Sequence, residues 1–459
     1  MNNIVFYIPF ALYVLYVLYK LYGTYKQGEA NTASKFATGT RDYKESFIFL
    51  TILATMIGPG FSYGAVDMFY DYGFFYTIFF GLAAVQFWLF GHFFAGKIKN
   101  VSADSETVGD ILGSAYGNRT QIITGILSVF FSIALVGVLG LAGGKVLASV
   151  TELPVEITTA IIVGFVALYS FYGGIATVIK IDKIHFYLII TFLIVGLIAC
   201  CFQFFSNDNS IEITNFVFNT KEMPVKEMIA IGIAFFLGEA FLPVYSIRSI
   251  VSKNANTAKR AFKKSAWFGL IWFGLLTIIG VMAHSVEHNT ELTYLSLIFK
   301  VFRGNIVGEL LIGIALTGMI VVVISTLDSI LNSAGVSFRK DIIEKVFTIN
   351  DEQKLSYSRL AIILVAALGT FITMFAKGIV SLLILAYNIW VPAIVFPLAY
   401  YLIRGSVNNK KSGFMGVLVG FLGWLLFHVI PCGVPAILAG LVLNVIAVLL
   451  IEKYGKKIV

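Results

Sequence analysis

Charge is what this chain has least of. Asp, Glu, Lys and Arg supply 13% of its 459 residues, whereas 58% are hydrophobic and the mean hydropathy is +0.89. A soluble chain of this length needs far more charge to cover its surface, so a soluble fold is excluded. Cysteine is scarce as well. Of Cys200, Cys201 and Cys432, two are adjacent inside an apolar run, which rules out a disulfide framework, and no Cys/His spacing suits zinc. The apolar segments lack period-2 alternation, which removes a membrane β-barrel. No nucleotide-binding loop, metal cluster or nucleophile arrangement is present, so the chain does not read as an enzyme. The N-terminus lacks the basic flank and small-residue cleavage site of a signal peptide, and 4–20 reads as an uncleaved span.

Long apolar runs are there instead. Thirteen segments suit a hydrocarbon core of roughly 30 Å: 4–20, 45–69, 73–96, 120–149, 155–177, 184–205, 226–247, 265–285, 307–338, 357–376, 378–403, 412–430 and 434–452. Most of the 33 basic residues fall in alternate loops, among them Lys20, Lys26, Lys97, Lys180, Lys183, Arg248, Lys253, Arg339, Arg404 and Lys453. That asymmetry predicts the N-terminus outside and the C-terminus in the cytoplasm. The formal charge of +8 is therefore topological and does not mark a nucleic-acid surface. The expected architecture is an all-α integral membrane protein. It comprises an extra helix and loop (1–44), two five-helix repeats (45–205 and 226–403) and two C-terminal helices (404–459). The first helix of each repeat is interrupted at a corresponding place, by Gly58-Pro59-Gly60 and by Gly238-Glu239 with Pro243. An odd number of helices per repeat inverts the second, and paired breaks in inverted repeats point to a midplane site.

Two segments organise the rest. The apolar stretch 307–341 carries Ser325, Thr326, Asp328, Ser329, Asn332 and Ser333, a polar stripe that must face protein, water or an ion. Around Gly58-Pro59-Gly60, a broken helix frees backbone carbonyls able to ligate a cation. Val322 precedes Ser325 and Thr326 by three and four residues, so their oxygens share one helix face. Back-bonding of both hydroxyls to their own helix is the structural alternative.

Residues 45–400 resemble the sodium:solute symporter family of sodium-coupled sugar, proline, pantothenate, sialic acid and choline carriers. The likeness rests on Thr107-Val-Gly-Asp-Ile-Leu-Gly-Ser-Ala-Tyr116-Gly, and on Leu168-Tyr-Ser-Phe-Tyr-Gly173-Gly174 followed by Ile181-Asp182. It also rests on Pro243 with Arg248, Lys253, Ala258, Lys259 and Arg260, and on Ser325-Thr326 with Asp328-Ser329 and Asp341. The resemblance implies a sodium site made of carbonyls at Ala54, Ile57 and Val322 with the hydroxyls of Ser325 and Thr326. Val322 is larger than usual there but contributes only its carbonyl. Some members hold a second sodium, which would fall on Asp182, Asp328 and Ser329. Asp182 beside Lys180 and Lys183 also reads as an interfacial salt bridge.

The resemblance places the solute between the two breaks, with Gly60, Phe61, Ser62, Gly64, Glu239, Tyr387, Asn388 and Trp390 as candidates. Glu239 reads either as a ligand for a substrate ammonium or hydroxyl, or as a structural hydrogen-bond partner of the broken backbone. Lys145 either meets a substrate carboxylate or snorkels outward. Asp67 and Asp71 read as solvated charges at the outer mouth, and His92 and His185 as interfacial residues. The expected function is sodium-coupled symport of a small polar solute across the plasma (inner) membrane. An amine-bearing, zwitterionic or polyhydroxylated solute is favoured. The protein would need Na+, the lipid bilayer and its solute, no organic cofactor and no nucleic acid, and would work as a monomer. The rival reading is a membrane sensor or transceptor on the same core. Because the sequence ends at Val459, such a sensor would signal through a separate partner; a channel is a weaker rival.

Overall fold

Without water in a bilayer, each backbone N–H and C=O must be satisfied within its own segment, and an apolar chain answers by coiling. The computed structural model describes residues 4–101, 103–206, 225–283, 292–375, 386–430 and 434–455. It is 88% helical. Among the described residues the only strand-like pairing is an isolated bridge between Tyr43 and Ser252. Cys432, Lys221, Lys377, Lys456, Lys457 and the start of the expected span 378–403 lie outside the described residues.

Among the helices are α1 (Ile8–Lys26), α2 (Glu45–Met56), α3 (Tyr63–Tyr72), α4 (Thr77–Phe93), α5 (Asn118–Thr151), α6 (Val155–Ser206), α7 (Val225–Ile233) and α8 (Pro243–Val251). They continue with α9 (Ala255–Met282), α10 (Thr293–Phe302), α11 (Ile306–Ser337), α12 (Asp351–Thr373), α13 (Phe396–Arg404), α14 (Lys411–Val429) and α15 (Ala436–Tyr454). Nine described helices are long and apolar enough to cross a membrane, and ten if α4 and its bent continuation Ala95–Val101 make one span.

Both interruptions are built around proline. The helix over 45–69 stops at Met56, turns through Pro59–Phe61 and restarts at Tyr63. The second passes from α7 into a π-turn, Ala234–Gly238, and a 3-10 turn, Glu239–Phe241, before α8. Pro59 and Pro243 each open the next helical piece, where a missing N–H costs nothing because the first turn has no intrahelical acceptor for it. The Tyr43–Ser252 bridge joins the chain entering α2 to the chain leaving α8, with Lys253 N donating to Tyr43 O over 2.9 Å.

One boundary differs from expectation. The sequence suggests spans 155–177 and 184–205 with a loop between, yet residues 178–183 are helical. The division falls at Gly174 (φ 54°, ψ −164°) inside the 52-residue α6. At about 1.5 Å per residue this helix would run about 78 Å if straight, too long for one crossing. Gly174 permits the bend because φ is positive and because a Cβ there would lie 2.7 Å from Phe36 O. Phe36 belongs to the short helix Ala33–Thr38, which packs into the kink. Asp182 is consequently placed in helix interior and not in a loop.

α11 is the centre of the bundle: almost every residue from Ile312 to Ser337 is buried. α5, α6, α2 and α12 surround it, and α1 lies outside against α6 and α11. α14 and α15 cover the π-turn Val391–Val395, where Asn444 Nδ2 donates to Pro392 O and Ala393 O, both at 2.7 Å.

Replacing Gly174 with Ala should overfill the Phe36 contact and lower stability by roughly 1–3 kcal/mol, in addition to the cost of positive φ. Thermal unfolding of the detergent-purified protein measures this; a wild-type midpoint would show that the kink does not depend on glycine.

Candidate functional site

The last four carbonyls of α2, those of Ala54, Thr55, Met56 and Ile57, follow the final bond from Ile57 N to Leu53 O and have no partner within the helix. Side chains of α11 meet two of them. Ser325 Oγ donates to Ala54 O at 2.7 Å, and Thr326 Oγ1 lies 3.1 Å from Thr55 O. Both hydroxyl oxygens also approach Val322 O, at 3.1 and 3.3 Å, so the back-bonding geometry coexists with the cross-helix one. Each hydroxyl has one proton and satisfies one carbonyl at a time. Ile57 leaves the helical path (φ −81°, ψ 63°). A Cβ on the next residue, Gly58, would stand 3.2 Å from Thr326 Oγ1, so glycine permits that close approach. Ala54, Ile57, Val322 and Ser325 are fully buried. Neutral, hard oxygen ligands in such a setting suit an alkali cation.

One turn further along α11 lies a charged cluster. Asp328 Oδ2 accepts from Tyr169 OH at 2.7 Å, and Ser329 Oγ lies 3.2 Å from Asp328 Oδ1. Asp182 accepts a short bond from Thr51 and stands 3.2 Å from His185 Nδ1 through its other oxygen. Arg248 Nη2 donates to Ser329 Oγ at 2.6 Å, lies 3.2 Å from Thr55 Oγ1 and 3.9 Å from Asp182 Oδ2. Thr55 thus serves both groups, with its carbonyl toward Thr326 and its hydroxyl toward Ser329 and Arg248.

Four expectations need correction here. Asp182 is fully buried and does not pair with Lys180, whose ammonium reaches Glu29 at 2.5 Å instead. His185 is fully buried, not interfacial; His92 is exposed beside Lys263 Nζ at 3.0 Å. Arg248 is no loop charge: α8 starts at Pro243 and is buried along its whole length, carrying the guanidinium into the protein. Arg339 is likewise buried, against Glu106 and Glu344. The helical continuity of 175–206 turns Asp182 and His185, three residues apart, toward α11.

Between the breaks is a cavity of about 70 Å³. Of the expected solute contacts, Gly60, Phe61, Glu239 and Tyr387 line it. Ser62, Gly64, Asn388, Trp390 and Lys145 are not among its lining residues. Ser62 Oγ donates to Gly58 O at 2.9 Å, and Trp390 Nε1 donates to Phe241 O at 3.1 Å; each satisfies a carbonyl at a break. Gly64 is pressed on Pro59 O, and Lys145 is half-buried on α5. Glu239 is 4% exposed. Tyr245 OH donates to its Oε1 at 2.8 Å, whereas Oε2 has no hydrogen-bond partner. Asp67 accepts from Thr293 N at 2.9 Å and so caps the start of α10, in place of the solvated role expected for it.

Several contributors have no signal in the sequence. Gln86 Oε1 accepts from Ala240 N at 2.8 Å, and Trp272 Nε1 donates to Phe61 O at 2.8 Å, each tying down irregular backbone at a break. Thr51, Thr55 and Tyr169 look like ordinary residues of apolar helices.

A family model described as "Sodium:solute symporter family" matches residues 36–420. The chain belongs to the sodium:solute symporter family. It is a multi-pass membrane transporter and not an enzyme. No curated protein matches it. Among solved structures it is similar to a Na+-coupled sialic acid symporter in a substrate-bound outward-open state, with TM-score 0.79 and 16% identity over 99% of this chain and 100% of that one. A nucleobase-cation-symport-1 family transporter, in a closed conformation with bromovinylhydantoin bound, gives 0.64 and 14% over 92% and 97%. A manganese transporter mutant from Eremococcus coleocola gives 0.53 and 11% over 91% and 92%. At these identities the structures show a shared fold.

Arg248→Met should lower stability by about 3–5 kcal/mol, because it leaves two buried carboxylates without their guanidinium. Denaturation of the purified variant reads this directly, and an unchanged midpoint would mean that Arg248 does not neutralise the cluster.

Proposed function

We propose that this protein is a sodium-coupled symporter that imports a small amine- or hydroxyl-bearing solute by alternating access. The observation that carries the reading is the meeting of Ser325 and Thr326 with the orphan carbonyls of α2. A cation entering there takes over the role of the hydroxyl protons. Both hydroxyls rotate to present lone pairs, and the carbonyls of Ala54, Ile57 and Val322 complete the shell. Sodium thereby ties the first broken helix to α11, and its departure releases the tie. Inward sodium movement contributes about 2.3 kcal/mol per charge per 100 mV, which is available to drive solute uphill.

A second sodium is assigned to Asp182, Asp328 and Ser329. With both carboxylates ionised, the cluster with Arg248 has one uncompensated negative charge in a buried setting, where an added cation is favoured. The solute is assigned to the cavity between the breaks. Its lining combines apolar side chains with a single carboxylate, Glu239, and contains no basic residue, which favours a donor such as an ammonium or hydroxyl over a carboxylate. A space of about 70 Å³ holds only a few waters, so solute entry requires the half-helices to part, in keeping with alternating access. In this reading thirteen crossings, arranged as five-plus-five inverted repeats with three extra helices, place the N-terminus outside and the C-terminus in the cytoplasm. The protein acts as a monomer in the plasma (inner) membrane.

Sodium at about 100 times its dissociation constant for the Ser325 site should stabilise the protein by about 2.7 kcal/mol through that site, potassium and choline should not, and Ser325→Ala/Thr326→Ala should remove that contribution and leave the part due to the second ion. An undiminished shift in the double variant would remove the ion from this site. Glu239→Gln should keep the sodium response and lose solute uptake by tenfold or more. Normal uptake by that variant would reduce Glu239 to a structural partner of Tyr245.

A further inference from the structure

α1 stands outside both expected repeats, yet it sends one side chain to the centre of the charged cluster. Tyr13, 3% exposed, places its hydroxyl 2.9 Å from His185 Nε2, and His185 Nδ1 lies 3.2 Å from Asp182 Oδ1. His185 is fully buried, and its two ring nitrogens are occupied by these two partners. The direction of the chain follows from what each group can do. A carboxylate only accepts, so the proton of a neutral His185 sits on Nδ1. Nε2 is then an acceptor, and Tyr13 is the donor. The Asp182 carboxylate selects the imidazole tautomer, and the Tyr13 hydroxyl satisfies the Nε2 lone pair that this tautomer leaves buried. Thr51 holds the other oxygen of Asp182.

We propose that Tyr13 and His185 are positioning residues for the second sodium, so that the accessory helix α1 sets the affinity of a site inside the transport core. The proposal rests on the assignment of that ion to Asp182, Asp328 and Ser329. Neither Tyr13 nor His185 touches the ion; both act through Asp182. Without the Tyr13 hydroxyl, the Nε2 lone pair is left buried with no donor. The ring gains by turning to find one, and in turning it loosens the hold of Nδ1 on Asp182. Outer-shell partners of this kind typically control metal affinity by about 10–100-fold. A displacement of α1 along α6 or α11, on which it packs, would break the same bond and weaken the site in the same way.

The test is equilibrium binding of radiolabelled sodium to the purified full-length chain, which requires no knowledge of the solute. Wild type should bind two ions, Asp182→Asn one, and Ser325→Ala/Thr326→Ala should lose the other. Tyr13→Phe and His185→Ala should weaken only the Asp182-dependent ion, by about tenfold or more, with sodium-free thermal midpoints showing that both remain folded. His185→Asn supplies the control that mere packing would not satisfy. Its amide nitrogen stands where Nδ1 stood, and it has no Nε2 lone pair for Tyr13 to satisfy. It should therefore restore the second ion, and adding Tyr13→Phe to it should change nothing. Wild-type affinity for both ions in Tyr13→Phe and His185→Ala would overturn the positioning role while leaving the second site intact. A single ion in wild type, or an Asp182→Asn variant that binds two, would remove the second site and the inference with it.

Discussion

Four carbonyls at the end of α2 have no place in their own helix, and the rest of the bundle is arranged around that fact. Buried peptide groups without partners are costly, so a helix can stop in the middle of a membrane protein only where something else meets its end. Here α11 meets it with Ser325 and Thr326. Ser62, Trp272 and Trp390 do the same for Gly58, Phe61 and Phe241, and Gln86 accepts the N–H of Ala240. In the proposed reading the hydroxyl contacts differ from the others in being exchangeable for a cation. A hydroxyl turns at little cost and a small ion offers the carbonyls a stronger partner, whereas an indole or an amide is fixed by its packing.

A second constraint is charge. Asp182, Asp328 and Arg248 lie within a few residues' reach of the orphan carbonyls and are all fully buried. None is supportable alone in such surroundings, and they are brought in by three different helices. Thr55 links this group to the hydroxyl pair, so in the proposed reading an ion at one place is felt at the other through a single residue. A pair of linked sites at the junction of two broken helices suits a machine whose states differ in how those helices sit against α11.

The class of the fold is readable from composition, because only helices and closed barrels satisfy their backbone in lipid and the alternation of a barrel is missing. The two breaks are readable for the same kind of reason: Gly58-Pro59-Gly60 and Gly238 to Pro243 cannot continue a helix. The meeting of Ser325 and Thr326 with the broken end of α2 is legible as well, since a polar stripe in an apolar helix must be answered somewhere. What failed was residue-level placement. Asp182 and His185 look interfacial because Lys180 and Lys183 flank them, and Arg248 looks like one of many loop charges. Ser62 looks like a solute contact because it adjoins a break, and Trp390 because its segment is expected to flank the solute, although breaks need structural partners of their own.

The sequence by itself determined local chemistry: where helices form, where they stop, and which segments carry polar atoms that hydrocarbon will not accept. These follow from each residue and its near neighbours along the chain. Only the tertiary structure decided who answers whom. Tyr13 and His185 are 172 residues apart and Ser325 and Ala54 are 271 apart, and such contacts depend on the rotation of each helix about its axis. That rotation is set by the packing of the whole bundle, including a kink at Gly174 that turns Asp182 inward. A step of one residue turns a side chain by about 100° around a helix of 3.6 residues per turn, enough to carry it from lipid to core. No pattern along a uniformly apolar helix records which of those directions it takes.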